Sequence, residues 1–324
     1  MARKYTNSKG VSLPIALWLA NDEYDHDERK NVLSVSSLLK SNRQIILTSR
    51  LAPGEGMEDV SALVASRLGT AIHDAIERAW VSNYVNSMAA LGYPKRVIEQ
   101  LRINPTEVGV GEIPIYLEQR KEKVVGNWII SGKYDLICDG YIMDVKSTGV
   151  STYLKGYKDE DYILQCSLYR WLNQDKVTRD HLKVQFIFKD WSLLASRHTK
   201  DYPPLPILEY TLPLMSLYDT EQFLRKKLGD LNKYWGTPEP DLPLCTDKEL
   251  WIRDIQWKHY ASPDSKRATP KGTFDNKADA QTFLLNKGKG LIKEVKSAPL
   301  ACMYCKARSR CSQYAGFVKE GIIK

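Results

Sequence analysis

Ser131-Gly-Lys-Tyr-Asp-Leu-Ile-Cys-Asp-Gly-Tyr-Ile-Met-Asp-Val-Lys-Ser147 is the stretch on which the fold turns. Two runs rich in β-formers flank Asp139-Gly140, a dipeptide suited to a two-residue hairpin turn because both central positions need positive φ. Such a turn sets the register: Cys138 opposite Tyr141, Ile137 opposite Ile142, Leu136 opposite Met143 and Asp135 opposite Asp144. Cβ atoms of cross-strand partners sit about 4.5–5.5 Å apart, where like charges repel. Two ionised aspartates in that position need a cation. Side chains alternate along a strand, so Lys146 emerges on the face of Asp144 while Val145 turns away. Hard carboxylate oxygens suit Mg²⁺ or Mn²⁺, and a lysine beside them is placed to orient or deprotonate a water. Asp144 also sits inside the apolar run Tyr141-Ile-Met-Asp-Val, where a lone charge is expensive.

Upstream, Glu112-Ile-Pro-Ile-Tyr-Leu-Glu118 alternates in strand fashion and Trp128-Ile-Ile leads into the hairpin, predicting an antiparallel meander of three consecutive strands. Glu112 and Glu77 are further candidates to join an acidic site. From 59 to 89, Val60, Leu63, Val64, Leu68, Ile72, Ile76 and Trp80 recur at intervals of three and four, as in an amphipathic helix. Gly69 within it would permit another backbone to approach. His73 and Glu77 are i, i+4 and share a face, so His73 is a metal ligand, a phosphate-steering group or a structural histidine. Residues 1–30 read as an irregular lead-in, acidic toward Glu28. Leu33-Ser-Val-Ser-Ser offers caps for a short helix, with Arg43 and Arg50 nearby as phosphate contacts and a breaker at Pro53-Gly-Glu-Gly.

Downstream, 153–172 reads as a helix carrying Gln165 and Tyr169, again i, i+4, an amide and a phenol able to grip a phosphate or brace the lysine. Lys183-Val-Gln-Phe-Ile-Phe-Lys189 supplies a strand reached by this helical crossover, hence parallel to its neighbour. A further strand over 207–212 and a helix over 216–235 precede the breaker cluster Gly236-Thr-Pro-Glu-Pro-Asp-Leu-Pro. The reading is an α/β chain: a mixed central sheet, antiparallel meander plus parallel crossover strand, flanked by helices. Its expected domains are a lead-in over 1–58, a core over 59–240 and a C-terminal module over 241–324.

The 324 residues carry a net charge of +8. Residues 242–324 hold 16 Lys and Arg against 8 Asp and Glu, and the remaining chain holds 31 of each, so the excess lies in the tail. Basic and aromatic residues interleave there over 251–260 and 266–271, as expected where a single strand is stacked and neutralised. A basic module beside an acidic metal site fits a polyanion held by one and cut by the other, which makes DNA the expected partner. Six cysteines and no apolar leader or membrane-length apolar run imply a cytoplasmic protein without a disulfide framework. Cys302, Cys305 and Cys311, spaced C-x2-C-x5-C, with Cys245 as a distant fourth, match the four thiolates of a structural Zn²⁺ or an iron–sulfur cluster. Cys138 and Cys166 read as core fillers. No GxxxxGK[ST] loop is present, so the chain carries no helicase motor.

Taken in order, His73, Asp135, Asp144-Val-Lys146, Gln165 and Tyr169 resemble the motif set of RecB-type exonucleases in the PD-(D/E)XK nuclease superfamily, over roughly residues 60–190. The closing cysteines resemble the iron–sulfur staple of AddB nuclease domains and of CRISPR-associated adaptation nucleases, although there the fourth cysteine precedes the nuclease motifs. The resemblance implies a restriction-endonuclease-like core with a C-terminal cysteine-stapled module. It also implies Mg²⁺- or Mn²⁺-dependent hydrolysis of DNA at linear or single-stranded ends, in recombination, replication or repair, in a bacterial or phage-infected cell. Asp135, Asp144 and the carbonyl of Val145 would hold one or two ions, with His73 completing the shell. Lys146 would position the water, and Gln165 with Tyr169 would set the strand. The cysteines would hold a [4Fe–4S] cluster or, alternatively, Zn²⁺. A recombination or single-strand-binding protein is an implied partner, and oligomeric state stays open. A structure-specific endonuclease or an inactive DNA-binding recombination factor on the same fold is the alternative.

Overall fold

The computed structural model describes residues 4–22, 27, 29–52, 54–252 and 255–323. The breaker at Pro53, most of the acidic 23–28 run and positions 253–254 of the tail lie outside the described residues. The described chain forms two compact units. One comprises the residues up to Leu39 with Glu58–Asp230, and the other joins 40–57 to the chain from Leu231 onward.

In the first unit the elements that position the candidate site are β1 (Val32–Ser34), α1 (Val64–Ala90), β2 (Leu101–Ile103), β3 (Ile113–Leu117), β4 (Arg120–Val125), β5 (Trp128–Lys133), β6 (Leu136–Cys138), β7 (Tyr141–Thr148), α2 (Asp159–Leu172), β8 (His181–Phe188) and β9 (Ile207–Pro213). Six strands make a mixed sheet in the order β9-β8-β7-β6-β3-β2. The β6–β7 hairpin has the anticipated register, Leu136 opposite Met143, Ile137 opposite Ile142 and Cys138 opposite Tyr141. Asp139 and Gly140 form its turn with φ of 46° and 77°, the positive values such a turn requires. Strand β8 runs parallel to β7, with Val184 beside Asp144, and β9 closes the edge antiparallel.

The meander is corrected. β5 does not enter the central sheet; it pairs antiparallel with β4 and parallel with β1 in a separate three-stranded sheet. The neighbour of β6 is instead β3. Packing explains the departure. A Cβ at Gly132 would lie 2.7 Å from Leu172 Cδ1 and 2.9 Å from Val35 Cγ2, so β5 lies against α2 and the short helix Val35–Leu38 as no residue but glycine allows. Tyr134, fully buried with its hydroxyl donating to Gln119 at 2.9 Å, carries the chain from one sheet to the other.

Helical boundaries shift where caps intervene. The expected helix from 59 begins as a 3₁₀ turn, Val60–Leu63, and α1 starts at Val64. Asp59 caps the turn by accepting from Ser61 N. Helix α1 has no buried residue: Val64 and Leu68 are exposed, while Trp80, Tyr84 and Met88 pack on the Leu101, Ile115, Leu117 and Leu136 cluster. Among the described residues no backbone approaches Gly69; a Cβ there would meet only Ser147 Oγ, at 4.0 Å. The helix expected over 153–172 is two, Val150–Lys155 and α2, separated at Gly156. The described part of the lead-in forms regular structure rather than an irregular run: strand Tyr5–Thr6 pairs with Glu58–Asp59, and helix Leu13–Ala20 buries Ala16 and Leu19 against Val60 and Leu63.

In the second unit, helix Asn42–Ser49 joins the C-terminal residues. Arg43 and Arg50 serve structure there. Arg43 is 2 % exposed and donates to Leu242 O at 2.9 Å, to Glu239 and to Ser312 Oγ at 3.0 Å. Arg50 donates to the carbonyls of Trp235 and Thr237. The tail carries a three-stranded sheet, Thr273–Phe274, Ile255–Tyr260 and Leu291–Lys296, with helix Lys277–Lys287 packed on it through Phe283.

Candidate active site

Strand β7 ends the apolar part of the hairpin and delivers Asp144, 2 % exposed, and Lys146 to one face. Lys146 Nζ donates to Asp144 Oδ1 at 2.7 Å and lies 2.6 Å from Oδ2. Ladder pairing stops at Leu136, and Asp135 then turns its carboxylate back: Oδ2 accepts from Val145 N at 2.9 Å, while its carbonyl accepts from Glu118 N at 3.0 Å. From α1, His73 Nε2 donates to Val145 O at 3.1 Å and Nδ1 faces Asp135 Oδ1 at 3.4 Å and Glu118 Oε1 at 3.8 Å. From α2, Gln165 Nε2 donates to the Tyr169 hydroxyl at 3.3 Å. His73, Asp135, Lys146, Gln165 and Tyr169 line one cleft of about 1050 Å³.

The charges of the site depend on one another. Burial opposes a charge on His73, but Asp135 and Glu118 outweigh it and raise its pKa to about 10. Burial raises Asp135 too, but His73 and Lys146 hold it below the usual carboxylate range. Asp144 lies above its ordinary value, through burial first and then Asp135, against the pull of Lys146. Lys146 is held protonated: burial works against its charge, and Asp144 with Asp135 overcomes that. Burial, then Asp135, pushes Tyr169 well up, so its phenol stays neutral. The expected ladder pair of Asp135 with Asp144 is not among those the hairpin forms, yet both carboxyl groups come together with two cations around them.

The group able to hold a metal ion is His73, Glu118 and Asp135, whose ligand atoms lie within 4.8 Å of one another. Glu118 was missed by sequence reasoning, which weighed Glu112 on the same strand-like segment. Glu112 instead pairs with Arg102 at 2.7 Å and accepts from Gly109 N at 2.8 Å. Glu118 lies one residue beyond β3 with φ of 49° and pairs with Lys133 at 2.8 Å. Alternation along the strand gives no hint of its direction, because the backbone leaves the extended conformation there. Glu77 lines the same cleft, and His73 and Val145 O, both anticipated as ligands, bond to each other.

In the second unit, Cys245, Cys302, Cys305 and Cys311 line one cavity with Ser41 and Arg43. Ser41 Oγ lies 3.2 Å from Cys245 Sγ, and Arg43 Nε donates to Cys311 Sγ at 3.3 Å. Burial raises the thiols of Cys245 and Cys305, and raises Cys302 to about 11 with the other three cysteines adding to it. All six cysteines are free thiols, and Cys166 is wholly buried while Cys138 is half-buried.

No protein-family model matches the sequence, and no curated protein matches it. Among solved structures, SSO0001 superposes with a TM-score of 0.42 at 16 % identity, covering 68 % of this chain and 87 % of that one. A phage related exonuclease from Haemophilus somnus 129PT superposes with a TM-score of 0.25 at 15 % identity, covering 36 % of this chain and 57 % of that one. Both likenesses are too distant to assign a family. Among the described residues no helix is long and apolar enough to cross a membrane.

Proposed function

We propose that the chain is a Mg²⁺- or Mn²⁺-dependent DNA exonuclease, hydrolysing phosphodiester bonds at linear or single-stranded ends on a restriction-endonuclease-like core spanning 59–240. One observation carries the reading: His73, Glu118 and Asp135 bring ligand atoms within 4.8 Å of one another, beside the buried Asp144–Lys146 pair. Carboxylates gathered this closely repel, and a divalent ion would offset that repulsion. The donor set, mostly hard oxygens with one imidazole, fits Mg²⁺ or Mn²⁺. His73, Glu118, Asp135 and Asp144 would hold the ion, which when bound neutralises phosphate charge and acidifies water. Lys146 is an ammonium, so it donates to a water or phosphate oxygen and orients it. Gln165 and Tyr169 set the strand beside the lysine. Val150–Lys155 and α2 carry the chain across the sheet and fix both groups against β7.

The four cysteines, which line one cavity, would hold a [4Fe–4S] cluster or, alternatively, Zn²⁺. The basic tail would hold the DNA, and a recombination or single-strand-binding protein remains the proposed partner.

End-labelled linear DNA and a closed circle, each with Mg²⁺ or EDTA, test the reading. Progressive loss of the linear substrate in Mg²⁺ alone, with the circle spared, is expected. No cleavage of either substrate by metal-loaded protein sinks it.

A further inference from the structure

We infer that Trp18 is a nucleobase-stacking platform at one end of the cleft, and that the strand held there is single. The inference rests on the nuclease reading above and names its substrate. Helix Leu13–Ala20 is seated by Ala16 and Leu19, and Arg67 of α1 clamps its end, donating from Nε to Leu19 O at 2.9 Å and from Nη1 to Asp22 at 3.1 Å. Trp18, next to the clamped Leu19, is thereby held in place while 38 % exposed and lining the cleft. A large aromatic surface kept in water by a fixed backbone costs little further ordering when a base covers it.

The cleft's charges decide between duplex and single strand. Its lining has five Lys and Arg and the protonated His73 against four Asp and Glu. Lys133 and Lys146 are already paired with Glu118 and Asp144. Arg78 makes no ion pair among the described residues. Duplex binding is dominated by phosphate neutralisation, which a cleft so near charge balance supplies poorly. An aromatic platform with a few cations is how single strands are held.

Geometry gives a register. The cleft follows α1 from Ser66 to Ser82, about 24 Å at about 1.5 Å per residue, with His73 about 10 Å from the Ser66 end, where Arg67 holds the end of the helix that carries Trp18. At about 3.4 Å per nucleotide of a stacked strand, Trp18 meets the base about three nucleotides from the metal group.

Binding of an end-labelled single-stranded oligonucleotide by the full chain in EDTA tests this, with an abasic site scanned along the strand. Trp18→Ala is expected to weaken binding about 5- to 150-fold, with unchanged thermal unfolding, and Trp18→Phe to retain most of the affinity. One abasic position, about three nucleotides from the cut, should weaken the wild type while leaving Trp18→Ala unaffected. Normal binding by Trp18→Ala, or a deficit that persists equally at every abasic position, overturns the platform. Tighter binding of blunt duplex than of single strand overturns the substrate assignment. Wild-type cleavage with any of these results leaves the nuclease reading standing, whereas a wild type that neither binds nor cuts DNA sinks both.

Discussion

The acidic cleft and the cysteine cavity both take ionisable groups out of water, and they do so in opposite protonation states. In the cleft, Asp135 is charged, balanced by His73 and Lys146, which the fold itself supplies. In the cavity, burial keeps Cys245, Cys302 and Cys305 as neutral thiols. The difference teaches which site holds its charge within the fold itself. The cleft carries its compensating charges in place, whereas the cavity gains charge only as protons leave, so a metal bound there would release protons.

The largest effect that would break this comparison lies in the cleft. Asp144→Ala should lower the cleavage rate at least about 1000-fold, the scale of several kcal/mol of lost charge stabilisation, while DNA binding persists. Wild-type rates from this variant would remove Asp144 from the chemistry. The corresponding blow to the cavity is Arg43→Met. It strips a buried cation from Glu239, Leu242, Ser312 and Cys311, and should cost about 3–5 kcal/mol in denaturant unfolding. A loss under about 1 kcal/mol would show that Arg43 is not what joins 40–57 to the cysteine segment.

Smaller effects sharpen the contrast. Glu118→Gln should weaken Mn²⁺ binding about 10- to 100-fold, measured by calorimetry, whereas Glu112→Gln should leave it unchanged; the reverse pattern would restore Glu112 as the ligand. His73 has a folded pKa raised from 6.5 to about 10. Its contribution to metal-free stability is therefore complete below about pH 6.5 and disappears as pH rises through about 10. The stability gap between wild type and His73→Ala should be widest near pH 6 and should close above pH 10. A gap that widens with pH would refute the ion pairing assigned to His73.

The hairpin was legible because its information is local. Asp139-Gly140 admits one turn, the turn fixes the pairing, and a period of two assigns each side chain to a face. The parallel strand His181–Phe188 followed from the handedness and length of a crossover. The excursion of Trp128–Lys133 into a second sheet was not legible, since its strand pattern is the same in either sheet. What diverts it is contact of Gly132 with Leu172 and Val35, residues distant in sequence. Arg43 and Arg50 look like exposed phosphate contacts on the page of sequence, and only burial shows that they bind carbonyls and a carboxylate.

The sequence by itself determined that Asp144 and Lys146 share a face, that Asp135 comes to meet them, and that four cysteines stand apart from them in the chain. Tertiary structure alone decided that Glu118, not Glu112, comes beside His73 and Asp135, and that Ser41, Arg43, Gln44 and Leu47 line the cysteine cavity. The reason is physical: turn chemistry and strand alternation act within a few residues, whereas a side chain's partner across the fold is chosen by packing, which no short stretch encodes.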